Sequence, residues 1–319
     1  MDQFLCTIGE IGIVPVVRIE RAEDALDLGR ALLSGDLPIV EIAFRTAAAE
    51  QAIRSLASGL PDLLVGAGTV LDLDQVKRAF DAGAKFIVSP GFLPKVVDYC
   101  TTNNIPVIPG ICTPTEIEMA LERKLEVVKF FPAGASGGLE YLKAIAAPFG
   151  ALQFIPTGGV DAANLREYLS FPRIHAVGGT WIARDTTIAA GRFDEITRLA
   201  REAVGLTLDF TLAHLGINER SAESAMALAK RAAELFLFPV KDGASSLFTG
   251  AAFEIMKSPY LGDHGHIAIS TSSIQRAIAF LRRKGVAVKQ ETAREREGRL
   301  TTIYLDIEIG GFAVHLLQR

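Results

Sequence analysis

LEVVKFFPAG at 125–134 sets one lysine, Lys129, among valines and phenylalanines. β-Branched and aromatic residues favour a strand, and an unbroken apolar run marks one covered on both faces, as in a parallel sheet flanked by helices. Seven further runs of this kind flank it: IVPVV (13–17), IVEIAF (39–44), LLVGAGT (63–69), FIVSPG (86–91), IPVIPG (105–110), LQFIPTGG (152–159) and HAVGGT (175–180). Amphipathic stretches such as AEDALDLGRALLSG and LDQVKRAFDAGA separate them. Eight strands alternating with helices predict an α/β fold, a (β/α)8 TIM barrel over 1–207. A doubly wound open sheet is the alternative, but no G-x-G-x-x-G follows the first strand.

Beyond LDFTLAHLGIN (208–218) the pattern changes: a strand, a helix from about 219 to 234, then three short strands. The order recurs in GHIAIS, SIQRAIAFLRRKG, VAVKQE, LTTIYLDIE and FAVHLLQ. Two βαβββ copies predict a separate α+β domain over 208–319.

With 319 residues, 49% of them hydrophobic, 22% charged and a net charge of −4, the chain has an ordinary globular composition. No broad basic surface is expected, so nucleic acid and anionic membrane are not expected partners. The start, MDQFLCTIGEIG, lacks a basic n-region and an apolar core, and no apolar stretch approaches ~20 residues; a cytoplasmic protein is expected. Three cysteines without C-x-x-C spacing argue against a disulfide framework and a cysteine zinc site.

In a barrel of this kind chemistry gathers at the C-terminal strand ends. Those ends carry Arg18, Glu41, Arg45, Thr69, Pro90, Lys129, Thr157-Gly158-Gly159 and Gly179-Thr180. A desolvated lysine tends to shed its charge, and a neutral lysine is a nucleophile; the plainer reading is a strand-end lysine whose head reaches water. Glu41 is the acid inside an apolar strand core of this half, a candidate general acid/base, or else a structural partner of Arg45. Arg45 offers a fork for a substrate carboxylate. The pairs in PTGGV and VGGTW follow the seventh and eighth strands, where barrels often hold phosphate on backbone N–H groups.

The segments VEIAFRT, GAGTV, SPGF, PGICTPTE, VVKFFPA, PTGGV and VGGTW, in this order, resemble the 2-keto-3-deoxy-6-phosphogluconate / 4-hydroxy-2-oxoglutarate (KDPG/KHG) aldolase family. The resemblance implies a class I aldolase that needs no cofactor and cleaves a phosphorylated 2-keto acid. Lys129 would form the Schiff base and Glu41 would serve as acid/base. Arg45 and Thr69 would hold the carboxylate, Pro90 would contact the substrate and Phe131 would pack by the imine. Thr157 would lie near the substrate hydroxyls, and Gly158, Gly159, Gly179 and Thr180 would hold the phosphate; family members often have serine where Thr180 stands. A homotrimer is expected on the same ground.

Four of the five histidines follow residue 207. His214, His266 and His315 occupy equivalent strand positions, joined by Glu254, one from the first and last strand of each βαβββ copy. Imidazoles with a carboxylate suit a divalent metal: Zn, Ni, Fe or Mn. The repeat, with HLGIN and GHIAI, resembles the vicinal oxygen chelate superfamily (glyoxalase-like), whose fourth ligand is usually glutamate where this chain has His315. His264 reads as a loop residue and His175 as structural. A bifunctional protein and a sugar-acid sensor are the alternatives to an aldolase with an accessory domain.

Overall fold

Nine short strands order the first half of the chain: β1 (Ile13–Val17), β2 (Ile39–Ala43), β3 (Leu64–Gly68), β4 (Ile87–Val88), β5 (Val107–Ile108), β6 (Gly110–Ile111), β7 (Val127–Phe130), β8 (Gln153–Pro156) and β9 (Val177–Gly179). They pair in the orders β5-β4-β3-β2-β1-β9 and β6-β7-β8, with parallel register throughout. Parallel bridges Phe154↔Ile174 and Thr157↔Gly178 join β8 to the β9 segment. Between β5 and β6 stands only Pro109, which has no N–H to give to the ladder. The fifth expected strand is therefore two short pieces of one strand, and the Pro109 carbonyl still accepts from the Lys129 N–H at 2.9 Å. Counted this way, eight parallel strands close into a TIM-like barrel.

This computed structural model describes residues 2–319. Contacts divide the chain into two compact units, the first ending at Thr207 and the second spanning Leu208–Arg319. No helix among the described residues is long and apolar enough to cross a membrane.

The barrel strands are buried because both faces are covered, β2 at all five positions. Phe86, Phe130 and Phe154 are fully enclosed, each contributing ~1.5–3 kcal/mol of transfer free energy. The outer helices present one apolar stripe inward, and some of them are capped by local side chains. Asp72 accepts from the Gln75 N–H ahead of the helix Leu73–Asp81, which buries Val76 and Ala79. Thr113 and Glu116 form a capping box ahead of Pro114–Glu122, with proline at the first position, where its missing N–H costs nothing. His175 is structural, as expected: Nε2 donates to the Leu5 carbonyl at 2.6 Å and Nδ1 meets the Gln153 amide at 2.6 Å.

The second unit is one eight-stranded mixed sheet. Its strands are β10 (Thr211–Asn218), β11 (Val240–Asp242), β12 (Ser246–Thr249), β13 (Phe253–Met256), β14 (Gly265–Thr271), β15 (Val288–Arg296), β16 (Arg299–Ile309) and β17 (Phe312–Gln318). They stand in the order β11-β12-β13-β10-β14-β17-β16-β15. Helices Ala222–Phe236 and Ile274–Arg283 follow β10 and β14, so each half runs strand, helix, three strands. In each half the first and last strands pair in parallel, and the halves join along antiparallel β10 and β14. The first helix starts at Ala222 rather than near Glu219, because Ser221 caps it by accepting from the Ser224 N–H. It packs Ala225 and Ala229 on Leu247 and Ile255.

Candidate active site and a histidine cluster

Lys129 lies on β7 and Glu41 on β2, strands that are not neighbours in the ring. Their side chains meet inside the barrel, Nζ donating to Oε1 at 3.1 Å, with the residues only 6% and 4% exposed. Neither is a strand-end group reaching water, and Glu41 pairs with Lys129 instead of Arg45. The neighbouring strand makes room for this. A side chain at Gly68, on β3, would collide with the Glu41 carboxylate, so glycine is needed there for close approach. Sequence reasoning missed Gly68; its signal is a small residue just ahead of Thr69.

Thr69 closes β3 at φ +57°. A β-branched residue in the left-handed region is a genuine outlier, of a kind that clusters at functional sites. Arg45 is exposed in the turn after β2, where its N–H donates to the Ala43 carbonyl at 2.8 Å and the next residue, Thr46, anchors the turn on the Ile19 carbonyl at 2.6 Å. Arg18 is held by Glu20 at 2.5 Å. Lys129 Nζ sits 5.6 Å from the Phe131 ring centre. The loop after β7 is stitched to the end of β8 by Ala133 N–H to Thr157 O (2.9 Å) and Gly134 N–H to Gly158 O (2.7 Å). Gly158 and Gly159 have φ of +88° and +83°, where a side chain would be strained. Thr157 is buried, Gly179 ends β9, and Thr180 is exposed just beyond it. Pro90 follows β4 and lays its carbonyl over Gly110. Buried Ser89 fixes that loop by donating to the Gly91 carbonyl at 2.8 Å.

The profile of a family described as KDPG and KHG aldolase matches residues 6–199. The chain belongs to the KDPG/KHG aldolase family. It is 46% identical over 194 residues to the 2-dehydro-3-deoxy-phosphogluconate aldolase of Treponema pallidum (strain Nichols), covering 61% of this chain and 92% of that protein. It is 42% identical over 192 residues to the KHG/KDPG aldolase of Escherichia coli (strain K12), covering 60% of this chain and 90% of the relative. The KDPG aldolase of Legionella pneumophila, solved with pyruvate captured at low pH as a covalent carbinolamine intermediate, superposes with a TM-score of 0.61 at 36% identity, covering 62% of this chain and 97% of that one. This aldolase is thus a lyase, and its family matches lie within the barrel.

In the second unit of the aldolase chain, His214, His266 and His315 bring one ring nitrogen each to within 4.8 Å of one another. Glu254 Oε2 lies 3.0 Å from His214 Nε2 and 3.1 Å from His266 Nε2, and the two imidazole nitrogens are 3.2 Å apart. Four strands deliver these side chains, β10, β13, β14 and β17. Small residues separate them in the register: Gly216 faces both Glu254 and His266, Ala268 faces both His214 and His315, and Ala313 faces His266. A side chain at Gly216 would strike the His266 ring. His264 lies outside, in a bend beside Phe312.

Burial alone would raise the Glu254 carboxyl, but hydrogen bonds from His214, His266 and Ser246 outweigh it and hold the group well below the usual carboxylate range. Burial first, then His266 and His214, push His315 down to about 3. Both ring nitrogens of His315, and Nδ1 of His266, are buried without a hydrogen-bond partner. Buried polar atoms are nearly always satisfied, so a His315 nitrogen at this cluster fits a cation ligand.

Proposed function

We propose that the barrel cleaves 2-keto-3-deoxy-6-phosphogluconate reversibly to pyruvate and glyceraldehyde 3-phosphate through an imine on Lys129. One observation carries the assignment of roles: the enclosed Lys129–Glu41 contact of 3.1 Å. Passage of a proton from Nζ to Oε1 leaves a neutral amine beside a carboxylic acid, without moving net charge into the interior. The amine adds to the C2 ketone, and loss of water leaves an iminium. Glu41, a carboxylate again, takes the C4 hydroxyl proton as the C3–C4 bond breaks and its electrons enter the iminium. The resulting enamine is protonated at C3 and hydrolysed, releasing pyruvate.

Arg45 and Thr69 hold the substrate carboxylate, Pro90 lines its path, and Phe131 packs on the imine. Thr157 faces the hydroxyls, while Gly158, Gly159, Gly179 and Thr180 take the phosphate. The same residues serve cleavage of 4-hydroxy-2-oxoglutarate to pyruvate and glyoxylate. A homotrimer follows from the family resemblance.

The test is borohydride reduction with pyruvate and mapping of the adduct. Reduced pyruvate on Lys129, absent in Lys129→Ala, is expected. A folded protein that traps none, or an adduct on another lysine, overturns the assignment.

For the second unit we propose a vicinal oxygen chelate domain over 208–319 that binds a divalent metal, Zn, Ni, Fe or Mn, through His214, Glu254, His266 and His315, making the chain bifunctional. The orphaned nitrogens of His315 support this. A metal bound there supplies a Lewis acid for a substrate oxygen. Metal analysis of the dialysed chain tests it: one equivalent, lost in His214→Ala and His266→Ala, is expected. A metal-free folded chain overturns it.

A further inference from the structure

Cross-strand partners share a face of a sheet. His315 on β17 stands opposite Tyr304 on β16, which stands opposite Lys289 on β15. The Tyr304 ring lies over His315, with centres 4.8 Å apart and planes inclined 31°, and 6.2 Å from the His266 ring. Lys289 therefore belongs to the face that carries the histidines, and it bridges to Asp306 at 3.1 Å.

Here the sheet opens into a cavity of about 250 Å³, lined by Leu261, Lys289, Asp306, Ile307, Glu308 and Ala313. Ala313 is the cross-strand neighbour of His266 and stands two places before His315, so cavity and cluster adjoin there. The volume lies below the ~300–1,000 Å³ typical of drug-sized ligands. It suits one small metabolite rather than a nucleotide.

The lining has two chemistries. Leu261, Ile307 and Ala313 offer apolar contact to a short carbon chain. Asp306 and Glu308 offer carboxylate oxygens, which only accept, so they select hydroxyl groups. The cluster differs again. A divalent ion on three neutral imidazoles and one carboxylate leaves a net positive site, which a glutamate in place of His315 would cancel. Such a centre draws an acid group.

We propose that the second unit takes a small hydroxylated carboxylic acid, of the sugar-acid class, with its acid group at the His214–Glu254–His266–His315 centre and its hydroxyls on Asp306 and Glu308. This rests on the metal reading given above. Lys289 holds Asp306 in place as a positioning residue.

The test uses the full chain carrying Lys129→Ala, so that no imine forms in the barrel, loaded with Mn²⁺. Gluconate, propionate and sorbitol are titrated by calorimetry, and water proton relaxation reports displacement at the ion. Gluconate is expected to bind at least ~10-fold tighter than propionate, which lacks hydroxyls, or sorbitol, which lacks the acid. Its binding disappears after chelation of the metal. Glu308→Gln, on an exposed position, is expected to weaken gluconate ~10-fold and leave Mn²⁺ affinity unchanged. Equal affinities for gluconate and propionate, gluconate binding without metal, or no effect of Glu308→Gln overturns the proposal while the metal reading stands. A folded chain that takes up no Mn²⁺, Zn²⁺, Ni²⁺ or Fe²⁺ overturns both.

Discussion

Lys129 and Glu41 stand on diametrically opposite strands, four steps apart either way around the ring, yet their side chains are in contact at 3.1 Å. The barrel interior, normally filled by apolar layers, is spanned here by an ammonium and a carboxylate. Each solves the burial of the other.

That mutual dependence is measurable. Removing one partner strands the other, so Lys129→Met and Glu41→Gln singly are each expected to lose ~3–5 kcal/mol of stability. The double variant is expected to lose clearly less than their sum, by urea denaturation in a double-mutant cycle. Additive losses would mean that the two groups do not support each other.

Gly68 is the second handle on this contact. Gly68→Ala puts a methyl where the Glu41 carboxylate lies, and a misplacement of ~1 Å typically costs ~100-fold in turnover. The expected signature is a fall in kcat with pyruvate still trapped on Lys129. An unchanged kcat would remove Glu41 placement from the account.

At Thr69 strain and function are separable. Its left-handed backbone, φ +57°, costs ~1–2 kcal/mol, whereas glycine adds back ~0.5–1 kcal/mol of unfolded-state entropy. Thr69→Gly is therefore expected to be neutral or up to ~1.5 kcal/mol more stable, with a raised KM because the hydroxyl is gone. A clear loss of stability would show that the hydroxyl supports the fold instead.

Cys100 sets an alkaline limit. Burial pushes its thiol up from 9.0 to about 12, so the folded chain keeps a proton that the unfolded chain releases. The contribution is complete below pH 9 and is lost as pH rises from 9 to 12, on the order of 4 kcal/mol at most, given ~1.36 kcal/mol per unit. Cys100→Ala should flatten this stretch of the pH–stability curve. Exposed Cys6 should react first with thiol reagents.

Metal should act on the second unit as a ligand of its native state. At a free metal concentration ~100 times Kd the expected gain is ~2.7 kcal/mol, seen as a rise in Tm. His315→Ala is expected to abolish most of it. The same rise in that variant would remove His315 from the ligand set.

The residues whose message is local were legible in the sequence. A lysine inside VVKFF announced its burial, and the paired βαβββ order placed four candidate ligands on β10, β13, β14 and β17. What could not be read depends on registers and on approaches between distant strands. Nothing in GAGT says that Gly68 is cut back for an acid on the next strand. Nothing in IPVIPG says whether Pro109 ends a strand or merely notches it. The register shifts on both sides of β16 hid Tyr304, Lys289 and Glu308, because period-two alternation no longer tells which face a residue takes. Arg45 was legible as a fork but not as a solvent-facing one, since its exposure is set by the turn anchored at Thr46.

The histidine cluster draws half its members from each βαβββ copy, His214 and Glu254 from one, His266 and His315 from the other. Neither copy can assemble it alone. A chain nicked in the connection between Met256 and Gly265 would thus carry a reporter of its own reassembly: metal uptake would return only as the fragments complement each other, and chelation would loosen the repaired pair.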